Sequence, residues 1–415
     1  MNRQTILSSL VSVCVFAGLV GSTNAQTISV SRESETVNLL AKIPAGKRAK
    51  LPKGISVTHT TLHGGKQEGV ELVRINNGKL TITVIPTRGM SILSVESADM
   101  KLGWNSPVKD VVHPQYVDLE SRGGLGWLEG FNEWMVRCGL EFAGHPGLDK
   151  FVTNTGDEAE MQLTLHGKIG NIPATDVKVA VGEEKPHRIY VTGTVHERLF
   201  YGPKLKLETT LVTDAGSDSF RIIDRVTNLG AYDQEFQLIY HANYGAPLLG
   251  EGAKVHVPAK QVAPMNAHAG KAIDDWATYK GPTKGFIEEV YLFEPLYDAN
   301  GTTLAVLQNA AGTQGTEIRW SVTELPYLTV WKNTADERDG YVTGIEPATG
   351  YPFNRSVERA AGRLPKLAPG ATRQFALGFT LHSDKADLDK AIARVRKIQG
   401  GTKLEVQREP PSALH

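Results

Sequence analysis

Short runs of alternating apolar and polar residues recur along most of this chain. The clearest run covers residues 80–85, and a turn sequence at 76–78 separates it from Val70, Leu72 and Ile75. Alternation with period two is typical of a strand that buries one face, and turns rich in Asn and Gly join antiparallel strands. These two segments therefore predict a β-hairpin.

Runs of the same kind predict strands through the rest of the chain. They lie at residues 161–165, 177–181, 189–195, 205–212, 220–227, 236–240, 303–307, 318–322, 328–331, 342–346 and 375–380. Turn residues separate most of them, and no long helices intervene. This pattern is typical of antiparallel sandwiches, so we predict an all-β fold with one β-sandwich domain at residues 69–381.

Two segments depart from this pattern. Residues 108–147 alternate weakly and are rich in glycine, so we predict long loops and short helical turns over one face, where ligands often bind. The tryptophans, Trp127 among them, are assigned to the core. Near the C-terminus, Asp384 and the apolar positions 388, 392, 395 and 398 predict a short helix, followed by a disordered tail from residue 402.

Residues 1–25 predict a secretory signal peptide. Arg3 forms a short basic region, residues 6–20 are apolar apart from three serines, and small residues precede Gln26. The mature protein is then expected to be exported, as a periplasmic or secreted protein. We predict that residues 26–68 form an extension around the sandwich and that residues 382–415 hold the helix and the tail.

The charge composition excludes several classes of partner. The 415 residues include 45 Lys and Arg and 45 Asp and Glu, so the formal net charge is +0. A neutral chain has no bulk attraction to nucleic acid or to an anionic membrane. No segment after the signal peptide is long and apolar enough to span a bilayer. Cys138 is the one cysteine outside the signal peptide, which excludes an internal disulfide and favours a small buried side chain.

Glu346 is the residue that most strongly indicates chemistry. It lies in a β-rich, apolar segment and directly precedes Pro347, where a strand is expected to end and a side chain can face a cleft. A partly desolvated carboxylate has a raised pKa and can act as a base near neutral pH. The segment 238–245, which contains His241, supplies a second candidate for acid–base chemistry.

Several short segments together resemble the galactose mutarotase-like (aldose 1-epimerase) superfamily, and in particular its DUF4432 branch. They are residues 85–90, 137–140, 165–168, 238–245, 331–333 and 344–347, in this order along the chain. The resemblance covers roughly residues 69–381. It implies a large β-supersandwich with a short helix added at the C-terminus, and a sugar-binding cleft lined by two His, an Arg and a Glu.

The resemblance also implies roles for individual residues. His241 resembles the general acid that protonates the ring oxygen of a sugar, and Glu346 resembles the base that removes the anomeric proton. His166 and Arg88 are expected to contact the sugar. The two remaining candidates for substrate binding lie in matching segments and are Asn243 and Lys332.

Interconversion of sugar anomers fits these residue types. Ring opening removes a proton from the anomeric hydroxyl and adds one to the ring oxygen, which a carboxylate and an imidazolium can do together. No cofactor and no metal are predicted, and the expected partner is a small carbohydrate. The expected rate profile is bell-shaped, limited by Glu346 on the acid side and His241 on the alkaline side.

Two other functions stay open on the sequence alone. One is a carbohydrate-binding protein that has the cleft but no turnover. The other is a different sugar enzyme on the same scaffold, such as an epimerase at another carbon or a sugar-acid lyase. A lyase must neutralise a carboxylate, for which Arg88, Lys332 and Arg355 are candidate cations.

Overall fold

The computed structural model describes residues 25–30, 51 and 53–411. Within them the strands are β1 (Ala25–Val30), β2 (Ser56–Thr61), β3 (Glu71–Asn76), β4 (Thr81–Ile85), β5 (Ser91–Glu96), β6 (Lys101–Leu102), β7 (Met135–Leu140), β8 (Gly147–Val152), β9 (Glu158–Leu163), β10 (Thr175–Gly182), β11 (Ile189–Arg198), β12 (Lys204–Thr213), β13 (Ser219–Asn228), β14 (Gln234–Glu235), β15 (Gln237–Tyr244), β16 (Lys254–His256), β17 (Ala259–Pro264), β18 (Glu289–Pro295), β19 (Thr302–Gln308), β20 (Gly315–Ser321), β21 (Tyr327–Asn333), β22 (Val342–Ala348), β23 (Lys366–Leu367), β24 (Thr372–His382) and β25 (Glu405–Val406). The α-helices are α1 (Ser121–Gly124), α2 (Ala267–Lys271), α3 (Arg355–Ala360) and α4 (Lys385–Gln399).

Two large sheets form the body of the protein. The larger has the strand order β2-β3-β4-β5-β7-β15-β22-β21-β18-β17-β25, with β6 paired to β5, and the second has the order β1-β10-β11-β12-β13-β24-β20-β19-β16. Apolar side chains from both sheets form one continuous core, for example Ile75 and Tyr240 from the larger and Leu207 and Phe379 from the second. The predicted all-β sandwich is therefore confirmed.

A buried ion pair links the two sheets through this core. Arg137 on β7 contacts Asp224 on β13, and its guanidinium also donates to the hydroxyl of Thr209 at 2.7 Å. The hydroxyl of Tyr240 donates to the same carboxylate at 2.8 Å. Since buried charges are tolerated only when they are paired and hydrogen-bonded, this cluster fixes how β7 and β15 lie against the second sheet.

The other face of the larger sheet carries a second apolar cluster. Along β15, Leu238 and Tyr240 belong to the core between the sheets, whereas Ile239 belongs to this second cluster. Trp127 and Phe131, from the segment before β7, cover the same face. We call this face the outer face. Strand alternation also places His241 on it, because residues two apart on a strand point to the same side.

Several predicted elements are confirmed by the structure. Each predicted strand segment overlaps an observed one, and the C-terminal helix is α4, where the Asp384 side chain accepts from the Asp387 amide at 3.0 Å. Its apolar face packs on Leu304 and Val306 of β19. Cys138 is a free, buried thiol, as expected, and burial raises its pKa. No helix of the described part of the chain is long and apolar enough to cross a membrane.

Three expectations differ from the structure. The larger sheet begins before residue 69, because β2 pairs with β3. The segment 108–147 contains β7, a central strand that was expected to be loop or turn. The tail was expected to be disordered, but β25 pairs with β17, and Arg408 forms an ion pair with Asp274 at 2.9 Å. The segment predicted to be a signal peptide, except for Ala25, lies outside the described residues, as do residues 31–50.

Candidate functional site

His241 and Glu346 lie on neighbouring strands and contact each other on the outer face. β15 and β22 pair antiparallel, with Ala242 opposite Ile345. The Nε2 atom of His241 lies 3.2 Å from Oε1 of Glu346, and both side chains are buried. Oε1 has no hydrogen-bond partner among the described residues, because this contact lacks the direction of a hydrogen bond. The structure thus brings together the predicted acid and base, which are far apart in sequence.

Gly344 makes room for this contact. It precedes Glu346 by two positions on β22 and therefore has the same orientation on the sheet. A Cβ atom at Gly344 would lie 2.2 Å from Oε1 of Glu346 and 3.2 Å from Cε1 of His241. The glycine in the Gly-Ile-Glu-Pro segment is thus required by space at the site.

Aromatic side chains surround the His241 ring. The centroids of Phe131 and Trp331 lie 5.4 and 5.5 Å from it, and that of Trp127 lies at 6.0 Å. The ring of His166 lies 5.2 Å away, and its Nδ1 contacts the carbonyl oxygen of Ala143 at 2.9 Å. The structure therefore places His166 beside His241. Trp127, which was assigned to the core, is buried in the apolar cluster of the outer face, and Trp331 packs against that cluster.

The aromatic surroundings shift the protonation of the site. Burial raises the pKa of Glu346 well above its ordinary value, and the charge of Glu288 adds to this effect. Burial lowers the pKa of His241 to about 4. Burial and the neighbouring His241 lower the pKa of His166. Burial therefore disfavours both the Glu346 carboxylate and the His241 imidazolium, and it favours the form of the pair that holds one proton and has no net charge.

Arg88 is fully buried beside the site. Its Nε donates to the Glu133 carboxylate at 2.6 Å, and its Nη1 donates to the carbonyl of Val112 and to the side chain of Asn171, both at 3.0 Å. Its Nη2 has no hydrogen-bond partner among the described residues. A Cβ on Gly130 would lie 2.9 Å from that atom. Arg88 thus has one unpaired donor, but its side chain is fully buried and its contacts are with the protein, so its predicted contact with a sugar does not follow from this placement.

Asn243 was predicted to bind substrate, but its side chain is buried and makes its hydrogen bonds within the protein. Its side chain is fully buried, and its Oδ1 lies 2.6 Å from Nδ1 of His241. Its Nδ2 donates to the carbonyl oxygens of Glu133 and His241, at 3.0 and 3.2 Å. Asn243 contacts the histidine rather than an open surface, because residues 241 and 243 share one face of β15.

Lys332 lies apart from the other predicted residues. On β21, Val330 belongs to the core between the sheets, and alternation places Lys332 on that inner face, opposite to Glu346. Its Nζ donates to the carbonyl oxygens of Asp275 and Thr278 at 2.9 and 2.8 Å. The prediction that it binds the same ligand as His241 does not fit this placement, and we leave Lys332 out of the site.

Two further side chains on the outer face were not predicted. Thr329 lies directly opposite Glu346 in the β21–β22 register, and its hydroxyl is buried without a partner among the described residues. Glu288 is exposed and accepts from Nε1 of Trp331 at 2.8 Å. Neither residue lies in a distinctive motif. The register with Glu346, which the sequence does not give, was needed to find Thr329.

No group of three or more His, Cys, Asp and Glu residues in the described part of the chain is arranged to hold a metal ion. The polar groups that meet at the outer face are instead a carboxyl group, two imidazoles and single donors. Such a set can bind hydroxyl groups and transfer protons.

Comparisons with known proteins agree with this architecture. The family model described as a domain of unknown function, DUF4432, matches residues 67–381. A candidate aldose 1-epimerase from Klebsiella pneumoniae is 40% identical, with a TM-score of 0.83, over 94% of this chain and 99% of that one. A galactose mutarotase-like protein from Clostridium acetobutylicum is 16% identical, with a TM-score of 0.53, over 80% and 99% of the two chains, and shows the fold alone. A search of curated proteins gives no match.

The family model covers most of the chain, and the similarity to the Klebsiella pneumoniae protein extends over nearly all of it. The chain therefore belongs to the DUF4432 family and has a galactose mutarotase-like fold.

Proposed function

We propose that this protein is an aldose 1-epimerase-like isomerase, which interconverts the anomers of a sugar. One observation carries the proposal: the carboxyl group of Glu346 and the imidazole of His241 meet at 3.2 Å on one face of the sheet. Ring opening and closing of a sugar need one group that removes a proton and one that donates it, at neighbouring oxygens. The description of the similar protein from Klebsiella pneumoniae supports the same reaction.

The two side chains alone can remove and supply the protons that the proposed reaction needs. Glu346, as carboxylate, removes the proton from the anomeric hydroxyl, the carbonyl double bond forms, and the bond from the anomeric carbon to the ring oxygen breaks. His241, as imidazolium, donates its proton to the ring oxygen. After rotation of the open chain, the reverse transfers close the ring on the other face.

The protonation of the pair fits this cycle. Burial favours a resting pair with its one proton on Glu346, because it raises the pKa of Glu346 and lowers that of His241 to about 4. Once the two groups align in a hydrogen bond, that proton can pass to His241, which yields the carboxylate and the imidazolium that ring opening requires. Ring opening then returns the pair to its resting form, so no proton has to enter from solvent.

The surroundings suit a sugar. The rings of Trp127, Phe131 and Trp331 form an apolar wall around His241, which suits the C–H faces of a pyranose, and His166 adds a polar group beside it. Binding sites for small molecules commonly combine aromatic walls with a few placed polar groups.

The lyase alternative has less support. Two of the three cations it requires are engaged elsewhere, since Lys332 lies on the inner face and Arg355 is buried against Asp149 and Glu141. A buried arginine in such contacts is not available to neutralise a substrate carboxylate.

A panel of aldoses and sugar acids, followed by polarimetry and exchange NMR, tests the proposal. We expect accelerated mutarotation of at least one sugar, and a fall in turnover by roughly two to four orders of magnitude in Glu346→Gln and in His241→Asn. The Michaelis constant should change little. Glu289→Gln is the matched control, because Glu289 is buried in the same sheet but lines a cavity on the inner face.

Two results would count against the proposal. If Glu346→Gln turned over as fast as the unaltered protein, the acid–base assignment would be wrong. If calorimetry detected sugar binding and no sugar were turned over, the protein would be a binding protein.

A further inference from the structure

We infer that Asn243 is a positioning residue that keeps the ring proton of His241 on Nδ1 and thereby directs Nε2 toward Glu346. The catalytic consequence of this inference rests on the proposed function, whereas the position of the ring proton can be measured without any substrate.

The orientation of the Asn243 amide follows from its surroundings. Its Nδ2 faces two carbonyl oxygens, those of Glu133 and His241, at 3.0 and 3.2 Å. A carbonyl can only accept, so the amide nitrogen must lie on that side and the amide oxygen on the other. The oxygen lies 2.6 Å from Nδ1 of His241. An amide oxygen cannot donate, so Nδ1 must carry the proton.

This assignment determines what Nε2 can do. A neutral imidazole carries one ring proton, so when Nδ1 is protonated Nε2 has a free lone pair. Nε2 is the atom that lies 3.2 Å from Oε1 of Glu346. Nε2 can therefore accept the proton of Glu346 and pass it to a substrate oxygen, while the proton on Nδ1 stays in place. With the proton on Nε2 instead, the neutral ring could not accept one from Glu346 at this position.

Asn243 is itself held by a rigid partner. The backbone carbonyl of Glu133, which accepts from Asn243, also accepts from Nε1 of Trp104 at 3.1 Å. The Glu133 carboxylate is paired with Arg88 at 2.6 Å and accepts from the amide of Asn132 at 3.1 Å. Both charged side chains are fully buried. Arg88 thus supports the orientation of His241 through Glu133 and Asn243.

Direct contact between Asn243 and a sugar would break these bonds. Both hydrogens of Nδ2 are used, Oδ1 is used, and the side chain is fully buried. Buried amides that lose their partners are costly, so a ligand would have to replace three hydrogen bonds. Asn243 therefore acts through His241.

Nitrogen NMR of protein labelled with ¹⁵N-histidine tests the inference. Protonated and bare ring nitrogens have well-separated shifts, and His241→Asn identifies the His241 signals. In the unaltered protein we expect a protonated Nδ1 and a bare Nε2 near neutral pH. In Asn243→Leu, which removes the acceptor, we expect the proton to distribute over both nitrogens or to move to Nε2. Asn228→Leu is the matched control.

Asn228 suits this comparison because it has the same hydrogen-bonding pattern in the other sheet. It is fully buried, and its Nδ2 donates to the carbonyls of Tyr232 and Leu367 at 2.7 and 2.9 Å. Its Oδ1 accepts from the amide of Gly230 at 2.8 Å. Asn228→Leu should lower stability in the same way and leave the His241 signals unchanged.

Kinetics provide the second measurement. With a sugar that is turned over, Asn243→Leu should lower kcat roughly 10- to 100-fold with little change in KM, the size of effect known for the loss of a partner that orients a metal-bound histidine. Asn228→Leu should keep its kcat in the folded fraction.

The inference fails if the unaltered protein shows a bare Nδ1, or if Asn243→Leu leaves the tautomer of His241 unchanged. The spectrum of the unaltered protein decides the first point even if the variant does not fold. If the tautomer is as inferred but no sugar is turned over, the proposed function fails and the placement of the proton stands.

Discussion

The backbone of Gly344 leaves the space that the carboxyl group of Glu346 occupies. The two residues are two positions apart on β22, and a Cβ atom on Gly344 would lie 2.2 Å from Oε1 of Glu346, closer than real atoms approach. Only a residue without a side chain therefore permits the contact between Glu346 and His241.

Gly344→Ala should displace the Glu346 carboxyl group from His241. We expect turnover to fall by roughly 100-fold, because displacements of about 1 Å at a reacting group have effects of this size. Stability should fall by about 1–3 kcal/mol from overpacking. Gly378→Ala is the control, since its Cβ would meet only Cγ of Arg221 at an ordinary 3.9 Å. Equal activity of the two variants would contradict the prediction.

The rate of mutarotation should be bell-shaped in pH, with its limits assigned opposite to the expectation from the sequence. The active pair holds one proton. As pH falls through the His241 pKa of about 4 the pair gains a second proton, and as pH rises through the raised pKa of Glu346 it loses its only one. His241 thus limits the rate in acid and Glu346 limits it in alkali.

The residual activity of Glu346→Gln distinguishes the two assignments. Glutamine has no proton to lose, so the fall of the rate at the raised pKa of Glu346 should disappear in this variant. Persistence of the alkaline limb would show that another group causes it. Polarimetry, corrected for the spontaneous reaction at each pH, provides the measurement.

Lys332 should make the protein more stable as pH rises. Burial lowers its pKa in the folded state to about 8, below the ordinary value of 10.5. Between these values the unfolded chain binds more protons than the folded one, so the free energy of unfolding increases with pH.

Urea unfolding of Lys332→Met at about pH 7 and about pH 10 measures this contribution. The variant should gain less stability over the interval than the unaltered protein, although it loses the hydrogen bonds to Asp275 and Thr278 at both pH values. Lys66→Met, at an exposed position, should show the unaltered pH dependence. If the stability of Lys332→Met depended on pH as that of the unaltered protein does, Lys332 would be charged in the folded protein over the whole interval.

Asp224→Ala should destabilise the sandwich strongly. It leaves the buried guanidinium of Arg137 without its counter-ion and the hydroxyl of Tyr240 without its acceptor. Loss of one partner of a buried ion pair costs about 3–5 kcal/mol. The double variant Arg137→Met with Asp224→Leu should recover much of this loss in urea unfolding. A double variant no more stable than Asp224→Ala would argue against an uncompensated charge as the cause.

The strands that the sequence predicted well are those with one buried face. β12 alternates buried and partly buried residues along most of its length, which is the pattern that period-two reasoning detects. β7 was not predicted as a strand, because all six of its residues are buried, on both faces, and one of them is Arg137. A charged residue inside a continuous buried run gives no alternation, and its partner Asp224 is visible only in the fold.

The site could be predicted only in part, for a related reason. Glu346 and His241 were indicated by their sequence surroundings, but their roles and the inclusion of His166 came from resemblance to a family. Lys332 was included because it lies in the matching segment 331–333, but neighbours on a strand point to opposite faces. Trp331 was excluded because tryptophans are more often core residues. The face of a strand to which a ligand binds cannot be predicted from the sequence alone.

The strand order of the larger sheet has a consequence for how activity is acquired. The His241–Glu346 pair lies on β15 and β22, and β7 pairs with β15 directly after the segment that covers them; these three strands are adjacent in space but belong to three distant parts of the chain. Contacts between distant segments form slowly, and a fragment that lacks one of these strands cannot assemble the pair. Circular dichroism would register individual strands wherever they form. Recovery of turnover during refolding would require all three strands in register, which makes it the stricter measure of the native state.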